Sequence, residues 1–112
     1  MVHDSYIILY GQAVMDEAQV VSKHLFGNQD RLLVAATIAR AEPGALYAQA
    51  LAELSGLTEK RVGLQLPHFV HGGVLTKLPK VGSERRIYYE RGTSAFWDLA
   101  AQLVDEIAAR LS

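Results

Sequence analysis

The 112-residue sequence predicts one domain of the mainly α class that carries a single small β-hairpin. Three observations lead there. Apolar residues recur at three- and four-residue spacings through most of the chain, the period of helices that bury one side. Between residues 74 and 91 the period falls to two on either side of a Gly-Ser turn, as in paired strands. Alanine, the strongest helix former, is abundant.

The elements follow in order. Val14, Ala18, Val21 and Leu25 form one stripe of a first helix from about Gly11 to Phe26, ended by Gly27. Asp4 or Ser5 offers an earlier cap for a longer version that takes in "YIILY". Asn28 is the expected N-cap of a second helix, with Asp30 in its first turn and Leu32, Leu33, Ala36, Ile38 and Ala39 inward. Pro43-Gly44 stops it. A short third helix spans about Tyr47 to Leu54, and "SGL" at 55–57 turns the chain sharply at Gly56. Thr58 caps a fourth helix through His71, closed by Gly72-Gly73.

That fourth helix contains Gly63 and Pro67. Pro67 removes an amide donor and presses its ring toward the carbonyl four residues back, which belongs to Gly63. The pair predicts a kink, with the helix in two pieces at about 59–65 and 67–71; a loop over 63–67 is the alternative. Next, "VLTKLPK" (74–80) and "RRIYYER" (85–91) alternate as strands around the turn "KVGSER". Thr93 or Ser94 caps a long last helix with Phe96, Leu99, Ala100, Leu103, Ile107 and Leu111 as its stripe, widened by Val104 and Ala108. Helix, helix, helix-turn-helix, hairpin, helix is the winged helix-turn-helix arrangement with additional N- and C-terminal helices.

Composition narrows the function. Half of the residues are apolar and 21% are charged, the balance of a soluble globular protein. No apolar run reaches membrane-spanning length, and "YIILY" is too short for a signal peptide. There is no cysteine, which excludes disulfides and thiolate metal sites and suggests a cytoplasmic protein. The net charge of −1 hides an asymmetry. Residues 58–91 hold seven basic and three acidic side chains, while both flanks are net acidic. A basic middle third on an acidic body points to a polyanion such as double-stranded DNA. No nucleophilic triad, phosphate-cradling glycine loop or convincing carboxylate pair is present, so an enzyme is not expected.

Leu51, Leu54, Leu57, Val62, Leu66 and Val70 are placed to hold the third and fourth helices together. The exposed start of the fourth helix then offers Thr58, Lys60, Arg61, Gly63, Leu64 and Gln65. Lys and Arg suit phosphate or guanine, Gln suits adenine, and an outward Leu suits a thymine methyl. Lys77, Lys80, Ser83, Arg85 and Arg86 on and beside the hairpin tip suit the sugar-phosphate backbone. Each residue alone reads better as ordinary polar surface; their joint occurrence carries the reading.

Two segments, "LAELSGLTEKRVGLQLPHFVHGGVLTKL" and "GSERRIYYER", resemble the helix-turn-helix and the second wing strand of ArsR-type winged-helix transcription regulators. The resemblance covers roughly residues 10–112; MarR-like and PadR-like regulators share much of the architecture. It implies a homodimer built by the N-terminal helix (1–27) and C-terminal helix (93–112), with 45–91 reading a pseudo-palindromic operator, usually to repress. The implied interface residues are Val14, Ala18, Val21, Phe96, Leu99, Leu103 and Ile107. The family's base-reading positions fall on Glu59, Lys60, Gly63 and Leu64, its wing contacts on Lys80 to Arg86. Gly63 and Leu64 depart from the small-hydroxyl and His/Gln pattern usual there. The metal-binding cysteine pairs and last-helix Asp/His pairs of many relatives are missing, and Asp98, Asp105 and Glu106 read as surface charge. "HFVH" (His68, His71) has a zinc-compatible spacing, with only His24 or His3 as a distant third ligand. No metal or other cofactor is therefore expected. A dimer-seam pocket of Tyr6, Tyr10, Phe96 and Trp97 is one place for an unidentified effector. The competing reading is a winged-helix module for protein contact without strong DNA binding, favoured by the negative total charge and the outward Leu64.

Overall fold

The computed structural model describes residues 8–112, so the proposed caps Asp4 and Ser5 lie outside the described residues. The order is α1 (Gln12–Phe26), α2 (Arg31–Arg40), a 3-10 turn (Pro43–Ala45), α3 (Ala48–Ser55), α4 (Glu59–His71), β1 (Leu75–Lys77), β2 (Tyr89–Arg91) and α5 (Ala95–Leu111). The protein is mainly helical with one two-stranded antiparallel sheet. Among the described residues no helix is long and apolar enough to cross a membrane.

α2 is the central element. Leu32 through Ile38 are all buried, and α1, α3, α4 and α5 each pack on it. A helix apolar on every side must be covered on every side. Its start differs from the sequence expectation. Asp30, not Asn28, is the N-cap residue, and its side chain makes no cap bond. The Asn28 carboxamide oxygen accepts from the Asp30 amide instead (2.8 Å), forming a turn ahead of the helix. Ser22 of α1 supplies what that end lacks. Its hydroxyl donates to the Asn28 carbonyl (2.6 Å) and accepts from the Leu32 amide (2.9 Å), all with the side chain buried.

That use of Ser22 turns α1 slightly from the expected stripe. Met15, Ala18 and Ser22 are its buried residues, Val14 and Val21 are half-buried, and Leu25 is 60% exposed. α1 begins at Gln12; Ile8 to Tyr10 are not helical, and the Leu9 amide donates to the Leu54 carbonyl. α5 is likewise rotated. Trp97, Ala100, Val104 and Ile107 face the core, Phe96, Leu103 and Ala108 are half-buried, and Leu99 and Leu111 are exposed. Ser94 caps it by accepting from the Phe96 amide.

α3 and α4 meet across Gly56, which ends α3 in the left-handed region (φ +81°). A Cβ there would lie 3.0 Å from the Met15 methyl carbon, so both conformation and space favour glycine. Leu51, Leu54, Leu57, Val62 and Leu66 are buried as expected, while Phe69 takes the inward place given to Val70. Thr58 caps α4 by accepting from the Arg61 amide. α4 runs without interruption through Pro67, contrary to the expected division into two pieces and to the loop alternative. Pro67 lies on the exposed side, where freed carbonyls can turn to water, and buried Leu66 and Phe69 hold the chain on both sides of it.

The hairpin ladder is shorter than the alternation suggested. Leu75, Thr76 and Lys77 pair with Arg91, Glu90 and Tyr89, and one further bond joins the Leu78 amide to the Tyr88 carbonyl. Pro79 then has no amide to offer. The Tyr89 amide also donates to the Leu46 carbonyl, which ties the base of the hairpin to the segment before α3.

Candidate nucleic-acid interface

α4 has a clear division of faces. Val62, Gln65, Leu66 and Phe69 are buried, and Phe69 stacks in tilted and edge contacts with Phe96 and Trp97 of α5. Lys60, Leu64, Pro67 and His71 recur at i, i+4, i+7 and i+11 and are all exposed, as is His68. Between them, Glu59 and Gly63 border a cleft of about 530 Å³. Its far wall is the second arm of the hairpin: Glu84, Arg85, Arg86, Ile87 and Tyr89. Tyr47, Ala48 and Gln49 close it beside the start of α3. The start of α4 and the hairpin therefore share one concave border. Ile87 also lines a second depression with Lys77, Leu78, Pro79 and Lys80.

The seven basic residues of the middle third divide by what holds them. Arg61 is engaged on the other shoulder of α4: its Nε and Nη2 donate to the two carboxylate oxygens of Asp30 at 2.9 and 2.5 Å. The bidentate hydrogen bonding raises the Arg61 pKa further above its ordinary value. Arg91 donates from Nη1 to the Ile38 and Ala41 carbonyls, satisfying the C-terminal end of α2. Arg86 lies over the Tyr47 ring at 4.1 Å and donates to the Tyr88 hydroxyl, which also raises its pKa. Lys60, Lys77, Lys80 and Arg85 are exposed and have no ion-pair or hydrogen-bond partner among the described residues.

Two sequence expectations are corrected here. Gln65 does not face outward: it is 3% exposed and its Oε1 accepts from Arg31 Nε. Arg61 faces α2, so it is a strut between helices. Arg86 lines the cleft on the tip side of the ladder, held there by Tyr47 and Tyr88. Thr58, Lys60, Gly63 and Leu64 lie on the accessible side of α4 or at its start, and Lys77, Lys80, Ser83 and Arg85 are exposed on the hairpin. No local pattern marks Asp30 and Arg31 as the partners of α4, because both come from the start of another helix.

The expected interface residues also separate. Ala18 and Ile107 are spent in the core of the protomer itself (0% and 1% exposed). Val14, Val21, Phe96 and Leu103 are half-buried against that core, and Leu99 is 49% exposed. Tyr10 and Trp97 are buried, Tyr10 against Thr37 and below Arg40, Trp97 against Phe69 and Phe96. Tyr10 lines a depression with Val14, Arg40 and Val104, apart from Trp97, and Tyr6 lies outside the described residues. His24, His68 and His71 are exposed, His3 lies outside the described residues, and among the described residues no three ligating side chains come together.

No protein-family model matches the chain, and no curated protein matches it in sequence.

Proposed function

We propose that the protein is a dimeric, sequence-specific DNA-binding regulator of the winged helix-turn-helix type. α4 enters the major groove and the β1–β2 hairpin, as the wing, lies along the sugar-phosphate backbone. One observation carries this reading: among the described residues, four of the five Lys and Arg side chains without an internal partner belong to α4 or the hairpin, which border a common cleft, the fifth being Lys23 of α1. Protein surfaces normally intersperse charges of both signs; a set of unpaired cations on two adjoining projections is what a polyanion needs. The ArsR-like motifs of the sequence agree, and with them come a repressor's role and a cytoplasmic site of action.

The same reading needs a second copy. Phe96, Leu99 and Leu103 stand at i, i+3 and i+7 on one side of α5 and keep part of their surface outside the core. We place the two-fold contact on this shoulder of α5, with the neighbouring side of α1, and not on Ala18 or Ile107. Two-fold symmetry then sets half-sites about 10 base pairs apart or a multiple of it.

A protein-contact module is the second reading, favoured by the carboxylates of Glu59 and Glu84 in the cleft. Titration of a random duplex at low salt decides between them. The DNA reading expects binding at or below micromolar protein, weakened broadly in a Lys80→Ala/Arg85→Ala variant. No binding by the parent, or equal binding by the variant, refutes it.

A further inference from the structure

Leu64 is 60% exposed in the middle of α4, with exposed Lys60 one turn before it and exposed His68 one turn after. Its flanks are low. Gly63 has no side chain, and a Cβ built there would meet nothing within 4 Å. Pro67, one turn on, offers only a ring and no hydrogen-bond donor. The two side chains of this helix best suited to reading base edges by hydrogen bonds are committed elsewhere, Gln65 to Arg31 and Arg61 to Asp30. What the centre of the exposed face offers a groove is an aliphatic side chain on a backbone free to approach closely.

Resting on the DNA-binding reading above, we infer that Leu64 is a specificity-determining residue that selects a thymine in each half-site by packing on its C5-methyl group. The methyl is the apolar feature that a base pair presents in the major groove. Over a G·C pair the leucine would strip water from acceptors and a donor without replacing their hydrogen bonds. Over thymine it covers a group that gains by leaving water. Gly63 and Pro67 serve as positioning residues here, keeping the shoulders of the helix clear so that the Leu64 side chain reaches the groove floor.

The test starts with duplexes recovered by the parent protein from a random library. Each thymine is then replaced in turn by deoxyuridine, which deletes the methyl and keeps the pairing. One thymine per half-site is expected to matter, with binding weakened about fourfold, the factor for one buried methyl-sized group, and roughly 16-fold when both half-sites are changed. In Leu64→Ala the thymine and deoxyuridine duplexes bind equally. The exposure of Leu64 means that this variant keeps the parent's urea midpoint, which checks folding. If the parent binds no duplex, the DNA reading and this inference fall together. If it binds but every deoxyuridine is neutral, the methyl contact alone is refuted. Discrimination that persists in Leu64→Ala also refutes the assignment.

Discussion

Replacing Arg61 by methionine separates a strut from a phosphate contact. The change keeps most of the aliphatic stem and removes the charge. It leaves the Asp30 carboxylate, whose side chain is 9% exposed, without its cation. Breaking a fully buried pair costs about 3–5 kcal/mol, and an exposed pair contributes at most about 1 kcal/mol. The Arg61 side chain is 36% exposed, so water screens the pair from one side. The cost expected for Arg61→Met is therefore about 1–3 kcal/mol. Asp30→Asn should cost less, because the guanidinium it releases can reach solvent. Urea unfolding of the parent, both single variants and the double variant closes the cycle, with a coupling of about 1 kcal/mol. Single-variant costs that add within about 0.3 kcal/mol would show no pairing and refute the reasoning. Duplex binding supplies a second arm. Arg61→Met should leave the slope of log affinity against log salt unchanged, whereas Arg85→Ala should reduce it by about 1 per protomer. An equal reduction in both would place Arg61 on phosphate.

Three further outcomes follow from the packing. Ser22→Ala removes the hydroxyl that serves both the Asn28 carbonyl and the Leu32 amide, and should destabilise by about 1–3 kcal/mol in urea or thermal unfolding. Gly56→Ala should cost about 1–2 kcal/mol, through the positive φ and the crowding of Met15; a neutral result would contradict the turn geometry. Burial raises the Tyr10 phenol above its ordinary value, against smaller opposing effects of Thr37 and Arg40. The folded chain then holds that proton more tightly than the unfolded one. Its contribution is complete below about pH 10 and is lost as pH rises through the folded-state value. Tyr10→Phe should flatten the alkaline decline of the unfolding free energy.

Much of the architecture was legible because its signals are local. Thr58 before a periodic run, Gly56 in a three-residue turn and Gly27 after Phe26 each mark a helix end by their own chemistry. The side chains that misled did so for tertiary reasons. Gln65 looks like an outward polar residue until Arg31, 34 positions earlier, arrives beside it. Arg61 looks like a phosphate ligand until Asp30 takes it. An apolar stripe on α5 fixes a face only to within one neighbour, and whether Trp97 or Leu99 turns inward depends on Phe69, which periodicity cannot see. Ser22 was missed because a hydroxyl within an apolar stripe has no meaning until the end of another helix is brought against it. The hairpin was visible as alternation, but its ladder stops where Pro79 removes a donor and Arg86 turns to Tyr47.

The salt dependence of duplex affinity bears most directly on the proposal that four outward cations per protomer form a nucleic-acid surface. A dimer that neutralises eight phosphates with Lys60, Lys77, Lys80 and Arg85 of each copy should give a log–log slope of about −7 on random duplex. A flat dependence, or no binding at micromolar protein in low salt, would contradict it.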